Sequence, residues 1–119
     1  MILRSNIQTT DEQNVFFAAD FHLYHKNVIR FDGRPHENVI DMNEDIIKKW
    51  NDKVRPNDIV FYLGDFAFTS KNKIRELVHR FNGKITFIMG NHDRYNTLQA
   101  TGKFDGIYDS GEVYVNGQL

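Results

Sequence analysis

Three short apolar segments along the chain predict strands of a buried sheet. They are VFFAA at 15–19, IVFYL at 59–63 and ITFIM at 85–89. Each is rich in β-branched and aromatic side chains and shows no alternation with polar residues. This pattern is typical of strands that are buried on both faces.

Two amphipathic segments between these strands predict helices. In residues 38–54, apolar side chains recur at steps of three and four, and charged side chains fall on the opposite face. In the second segment, Ser70 is expected to cap a helix at its start, and Gly83 is expected to end it. Strands that alternate with helices predict an α/β fold with a mostly parallel sheet and crossover helices.

Two further segments depart from this regular pattern. Residues 20–37 show no clean period and carry three histidines and two arginines, and long irregular segments of compact domains are usually functional or disordered. Residues 112–115 predict a strand, and Asn116-Gly117 predicts a type I′ turn. Because the sequence stops at Leu119, we expect residues 1–119 to form a single domain that is truncated at its C-terminus.

Composition narrows the class of protein. With 15 basic and 16 acidic residues among 119, the formal net charge is −1, which argues against a generally basic nucleic-acid binder. The absence of cysteine excludes disulfides, thiolate catalysis and cysteine-ligated metals. The sequence has no apolar run of about 18 residues and no signal peptide, so we predict a cytoplasmic protein without a membrane partner.

Each of the three predicted strands is followed directly by polar side chains that can bind metal ions. These residues are Asp20 and His22, then Asp65, then Asn91, His92 and Asp93. In open α/β sheets, ligands bind beyond the carboxyl ends of the strands, so we expect these side chains to meet at one edge. Oxygen and imidazole ligands without sulfur suit divalent Mn, Fe or Zn.

The spacing is compatible with two ions. Asp20 and His22 can reach one ion, and Asp65 can bridge it to a second, which is the arrangement used for in-line displacement at phosphorus. Taken singly, Asp65 is an ordinary turn residue and His22 an ordinary surface histidine. Their coincidence with Asn91 at successive strand ends favours a metal site.

The motifs resemble those of a known family. In chain order, they resemble the first three blocks of the calcineurin-like metallophosphoesterases: Asp20-Phe21-His22, Gly64-Asp65 and Gly90-Asn91-His92-Asp93. Residues 21–29, Arg34-Pro35 and residues 54–58 resemble a small bacterial and phage branch of that superfamily. The resemblance implies the N-terminal part of a four-layer α/β/β/α sandwich with a dinuclear metal site.

The resemblance also implies a role for each motif residue. Asp20 and His22 would bind the first metal, Asp65 would bridge, and Asn91 would bind the second. His92 would be catalytic, with Asp93 orienting it. In the adjoining loops we expect His25 and His36 to be solvated or in contact with substrate. The residues expected to contact substrate are His25, Asn27, Arg34 and Arg94.

The sequence departs from the family pattern in two ways. Phe68 and Thr69 stand where the Ser/Thr phosphatase branch carries Asp and Arg, which argues against a protein phosphatase. No histidine follows His92, whereas the family supplies further ligands from later Gly-His and Gly-His-x-His blocks. We therefore expect weak binding of the second metal. Since the missing part of the family domain would also supply the second sheet of the sandwich, we expect this chain to lack that sheet. We also expect an uncovered face of the main sheet, which favours a homo-oligomer.

Two functions stay open. The favoured one is a metal-dependent phosphoesterase that hydrolyses a phosphomonoester or phosphodiester by metal-activated water. Its substrate would be a phosphorylated small molecule, a nucleotide or a nucleic acid. The alternative is a catalytically impaired module that binds metal or phosphate and acts through oligomerisation.

Overall fold

The computed structural model describes residues 2–7, 13–25, 29, 33–67, 69–90 and 93–115. The elements, in chain order, are β1 (Ile2–Ile7), β2 (Val15–Ala18), α1 (Val39–Lys53), β3 (Ile59–Leu63), α2 (Lys71–Val78), β4 (Lys84–Ile88), α3 (Tyr95–Ala100), β5 (Gly106–Tyr108) and β6 (Ser110–Val115). Within these ranges, no helix has the length and apolar character needed to cross a membrane.

The main sheet has four parallel strands in the order β2-β3-β4-β5. Each strand pairs with its neighbour in sequence, so the chain must cross back over the sheet after every strand. Helices α1, α2 and α3 lie in these crossovers. The predicted α/β architecture, with parallel strands and crossover helices, is confirmed.

The core lies between this sheet and the helices. Tyr62 of β3 and Phe87 of β4 are at most 1% exposed, and they pack in one cluster with Trp50 of α1, Leu77 of α2 and Leu98 of α3. Burial of these large apolar side chains stabilises the sheet. This packing therefore also holds in place the edge of the sheet that the carboxyl ends of the strands form.

The helix boundaries follow from local capping. Asn38 and Ser70 each accept a backbone N–H from the first turn of the helix that follows, as expected for Ser70. Helix α2 ends at Val78, so the prediction that Gly83 ends it is wrong. Gly83 instead has a φ of +104° just before β4, and a Cβ there would lie 2.9 Å from Val54 Cγ1.

A second, two-stranded sheet is formed by β1 and β6, which pair in parallel. Part of β6 confirms the strand predicted at 112–115, whereas the turn predicted at Asn116-Gly117 lies outside the described residues. β1 was not predicted. The expectation that this chain lacks a second sheet is thus corrected, because two strands of one are present.

The main-sheet face opposite the core is only partly covered. Phe61 is 2% exposed and stacks on Phe17, with ring centroids 5.5 Å apart. Phe17 is nonetheless 57% exposed and Leu63 47% exposed. A groove of about 490 Å³ separates these side chains and Ile88 from β6. Burial on both faces, as predicted for these strands, is therefore wrong for Phe17 and Leu63.

Candidate metal centre

Three of the predicted ligands meet at the carboxyl edge of the main sheet. Asp20 and His22 follow β2, and Asp65 follows β3. One ligand atom from each lies within 4.8 Å of the others. Metal–ligand bonds of about 2.0–2.2 Å place opposite ligands of one ion about 4.3 Å apart. Small side-chain adjustments therefore suffice for these three residues to share an ion.

The backbone at all three ligands is left-handed. The φ angles are 57° at Asp20, 50° at His22 and 56° at Asp65. Non-glycine residues in this region carry about 1–3 kcal/mol of strain each and persist only where the surrounding structure holds them. The ligand turns therefore depend on their neighbours for their shape.

The turns after β2 and β3 are hydrogen-bonded to each other. The backbone N–H of Asp20 donates to the carbonyl of Gly64 at 3.0 Å, and that of His22 donates to the carbonyl of Asp65 at 3.0 Å. An isolated bridge between Leu23 and Ala67 extends the pairing further. The ligands from the two strands thus sit on one continuous unit of backbone.

The hydroxyl of Tyr62 forms hydrogen bonds with both of these turns. It accepts the N–H of Phe21 at 2.8 Å and donates to the carbonyl of Asp65 at 3.4 Å. Burial raises the pKa of the Tyr62 phenol, so the group stays neutral. These hydrogen bonds of the Tyr62 hydroxyl were not predicted, because the residue lies in an apolar strand segment. The one available signal was a hydroxyl in the IVFYL segment.

Asp93 connects the chain after β4 to the turn after β3. Its Oδ2 atom accepts the N–H of Gly90 at 2.7 Å and the N–H of Asp65 at 2.8 Å. Its Oδ1 atom accepts the N–H of Phe66 at 3.2 Å. Asp93 was expected to orient His92, and these three contacts with backbone N–H groups were not predicted.

Gly64 and Gly90 permit the close approach of these segments. A Cβ on Gly64 would lie 2.9 Å from Gly90 Cα, and a Cβ on Gly90 would lie 2.8 Å from Asp65 Oδ1. Gly64 also has a φ of +91°, which favours glycine. A side chain at either position would push the Asp65 turn away from its neighbour.

Arg34 and His25, both predicted to contact substrate, lie beside the ligands. Arg34 Nη1 donates to the carbonyl of Phe21 at 2.6 Å, and Nη2 donates to the carbonyl of Asp20 at 3.0 Å. The N–H of His25 donates to the carbonyl of His22 at 3.0 Å, and the two rings are 5.6 Å apart. The contacts of Arg34 with the ligand turn were not predicted.

His36 does not have the environment expected for it. Its Nε2 atom lies 2.8 Å from Asp45 Oδ2 of α1, and its side chain is 14% exposed. His36 was expected to be solvated or in contact with substrate, whereas the structure shows its ring in contact with Asp45. Hydrogen bonding to His36 and Lys49 lowers the pKa of the Asp45 carboxyl.

A cavity of about 600 Å³ opens beside Asp93. Its walls include Arg94, Lys71 and Thr69, together with the apolar Phe66. Arg94 thus lines the same cavity as Asp93, and its contact with substrate stays a prediction. Three other predicted site residues lie outside the described part of the chain: Asn27, Asn91 and His92.

The donor set fits a divalent cation. Two carboxylates and an imidazole are ligands common to Mn, Fe and Zn sites. A cation between Asp20 and Asp65 would also offset the repulsion of two like charges held within 4.8 Å.

Comparison with known proteins agrees with this site. The family model of the calcineurin-like phosphoesterases matches residues 14–118, which include all three ligand-bearing motifs. The chain therefore belongs to the calcineurin-like phosphoesterase family, whose members are metal-dependent.

Two known proteins are similar to this chain over most of its length. It is 45% identical over 97 residues to the uncharacterized protein MJ1445 of Methanocaldococcus jannaschii, covering 79% of this chain and 54% of that protein. It also resembles the crystal structure of AQ665, a protein of unknown function from Aquifex aeolicus. There the TM-score is 0.64 at 28% identity, over 82% of this chain and 52% of the other. The chain spans about half the length of both relatives.

Proposed function

We propose that this chain carries the first part of the metal centre of a phosphoesterase, which hydrolyses a phosphomonoester or phosphodiester by metal-activated water. The observation that carries the proposal is the approach of Asp20, His22 and Asp65 to within 4.8 Å at the carboxyl edge of the sheet. Because the chain belongs to a metal-dependent family, binding of a metal ion would explain why these three side chains lie close together.

In this proposal the site is dinuclear. Asp20 and His22 would hold the first ion, Asp65 would be a ligand of both ions, and Asn91 would hold the second. Divalent ions bound there supply Lewis-acid chemistry, which activates water at neutral pH and neutralises phosphoryl charge. His92 acts on the leaving group. In support, the described residues on both sides of 91–92 contact Asp65: Gly90 by close approach and Asp93 by a hydrogen bond.

The substrate's organic group would occupy the cavity beside Asp93. Lys71 and Arg94 provide positive charge there, and Phe66 and Leu98 provide apolar surface. This mixture suits a phosphoester with an apolar or aromatic portion, and a nucleotide is one such compound. The formal net charge of −1 gives no added reason to expect nucleic acid.

The metal site is tested by isothermal titration of the chain with Mn²⁺. We expect binding by the wild type and its loss in Asp65→Asn. A matched control is Asp52→Asn, because Asp52 is an exposed carboxylate on α1 that pairs with Lys48. Absence of Mn²⁺ binding by the folded wild type, or equal loss in the control, would contradict the proposal.

Hydrolysis is tested separately with p-nitrophenyl phosphate and bis(p-nitrophenyl) phosphate in the presence of Mn²⁺. Release of nitrophenol that Asp65→Asn abolishes supports the phosphoesterase and distinguishes monoester from diester activity. Mn²⁺ binding without turnover of either compound favours the second candidate, a metal- or phosphate-binding module. The observation that favours this candidate is the meeting of Asp20, His22 and Asp65, because these three side chains alone suffice to bind one metal ion.

A further inference from the structure

We propose that Arg34 and Asp93 are positioning residues of opposite charge that together hold the ligand turns after β2 and β3 in their left-handed conformation. Arg34 would act on the turn after β2, and Asp93 would act on the turn after β3, which it ties to Gly90. The proposal rests on the metal site of the proposed function. It assigns to both residues a task other than binding substrate or reacting with it.

The Arg34 guanidinium binds the backbone between two ligands. Its two terminal nitrogens donate to the carbonyls of Asp20 and Phe21, at 3.0 and 2.6 Å. These are successive carbonyls, and they lie directly before His22 in the chain. A planar fork of donors fixes the orientation of both peptide groups at once, which the single ammonium of lysine does not.

Arg34 is itself held in place. Its Nη1 atom also lies 3.3 Å from Met42 Sδ on α1, and its backbone N–H donates to the carbonyl of Ile29 at 3.0 Å. The half-buried side chain therefore connects the ligand turn to the first helix of the core. This contact gives the left-handed Asp20 and His22 an external support.

Asp93 provides the complementary contact with N–H groups. Its carboxylate accepts from Asp65 itself, from Phe66 and from Gly90, at 2.8, 3.2 and 2.7 Å. Hydrogen bonds from N–H groups to a charged carboxylate are stronger than those between neutral groups. They tie the turn that bears Asp65 to the chain that leaves β4.

The charge of Arg34 makes its role testable. A cation beside a metal site repels the metal, so simple electrostatics predicts that neutralising Arg34 tightens metal binding. Loss of a positioning contact predicts the reverse, because residues that orient metal ligands change affinity by about 10–100-fold when they are altered. The two explanations therefore differ in sign.

The experiment is Mn²⁺ titration of Arg34→Gln, Arg34→Lys and Asp93→Glu. We expect the dissociation constant to rise about 10-fold or more in Arg34→Gln and Asp93→Glu, with partial rescue in Arg34→Lys. Asp93→Glu keeps the charge, so unchanged affinity there would show that charge alone matters. Unchanged or tighter binding by Arg34→Gln would overturn the role of Arg34.

Matched controls come from the same chain. Arg80 makes a two-pronged contact with Glu44 at 2.7 and 2.6 Å, so Arg80→Gln loses an equivalent charge and fork. Asp58 accepts two backbone N–H groups at the other edge of the sheet, which makes Asp58→Glu the counterpart of Asp93→Glu. We expect both controls to keep the Mn²⁺ affinity of the wild type.

A second measurement does not depend on metal. Amide hydrogen exchange of His22 and Leu23, whose N–H groups donate to Asp65 and Phe66, is compared with that of the buried Phe87. We expect faster relative exchange at the two turn amides in Arg34→Gln and Asp93→Glu, but not in the controls. If the wild type binds no Mn²⁺, the proposed function fails, and this exchange alone decides whether the two residues hold the turns.

Discussion

The amino edge and the carboxyl edge of the main sheet carry similar residues, but these residues have different roles. Asn14, Asp58 and Gly83 directly precede β2, β3 and β4 at the amino edge. At the carboxyl edge, the corresponding residues are an aspartate and a histidine after β2, a Gly-Asp pair after β3 and a glycine followed by residues 91–93 after β4. Aspartates and glycines thus flank the strands on both sides.

The conformations at the two edges differ. Among the described residues, non-glycine positions with positive φ are all at the carboxyl edge: Asp20, His22, Tyr24 and Asp65. In the segments that lead into β4 and β5, positive φ occurs at the glycines Gly83 and Gly102, where no side chain opposes it. Backbone strain is therefore concentrated at the carboxyl edge, where the candidate ligand side chains converge. Strained backbone of this kind is typical of a functional site.

The aspartates differ in the same way. Asp58 is fully buried and accepts the N–H groups of Asn14 and Arg55 at 2.9 and 2.8 Å. Asp20, by contrast, is exposed and lies with His22 and Asp65. The comparison indicates that the amino edge serves stability, whereas the carboxyl edge gathers the candidate metal ligands.

The largest expected effect is the difference between mutating an aspartate at the carboxyl edge and mutating one at the amino edge. Asp20→Asn removes a proposed metal ligand, so we expect Mn²⁺ affinity to fall by more than the roughly 100-fold upper range for residues that only orient ligands. Its metal-free stability should be unchanged or slightly higher, because repulsion with Asp65 is relieved. Asp58→Asn should lower the urea midpoint and leave Mn²⁺ affinity intact. Loss of metal binding in Asp58→Asn would remove the distinction.

Glycine variants give the next largest effect. Gly90→Ala places a methyl group 2.8 Å from Asp65 Oδ1, and we expect about 1–3 kcal/mol of destabilisation together with weaker Mn²⁺ binding. Gly83→Ala meets Val54 Cγ1 at 2.9 Å and should be destabilised by a similar amount at unchanged affinity. Urea unfolding and titration are measured on both. Equal losses of affinity would argue against a local effect at Asp65.

Tyr62→Phe tests the hydroxyl that joins the two ligand turns. The change keeps the ring and leaves the N–H of Phe21 and the carbonyl of Asp65 without this contact, so we expect a loss of about 1–3 kcal/mol in unfolding free energy. A modest weakening of Mn²⁺ binding should accompany it. Tyr114→Phe on β6, where the side chain is 38% exposed, serves as the control. A similar loss in the control would assign the effect to tyrosine removal in general.

The smallest effect is a pH dependence at the amino edge. Backbone N–H donors from Asn14 and Arg55 hold the pKa of the Asp58 carboxyl below its ordinary value. Its contribution to stability is therefore complete above the unfolded pKa of about 3.9 and is lost as pH falls through the lower folded value. Between about pH 6 and pH 3, the urea midpoint should fall more for the wild type than for Asp58→Asn. Parallel curves would exclude this contribution.

The sequence patterns predicted the central elements well. The apolar segments at 59–63 and 85–89 became β3 and β4, the amphipathic segment at 38–54 became α1, and the predicted cap Ser70 opens α2. These features depend on neighbours within a few positions, so local periodicity reveals them. The end of α2 was misplaced because Gly83 serves the entry to β4 rather than the helix.

Other elements could not be predicted from local pattern. β1 has a partly polar sequence, and its partner β6 begins at Ser110, paired with Ile2. Pairing over such a separation is decided by the assembled chain, not by local propensity. The same holds for Arg34, which donates to Phe21, thirteen positions earlier, and for the hydroxyl of Tyr62.

By itself, the sequence determined the central order β2-α1-β3-α2-β4 and the metal-binding character of the residues that follow these strands, because short stretches of chain decide both. Only the tertiary structure decided that Asp20, His22 and Asp65 share one small volume and that Asp93 accepts three backbone N–H groups there. Those facts arise from the lateral packing of parallel strands, which brings distant turns together and lets each restrain the next.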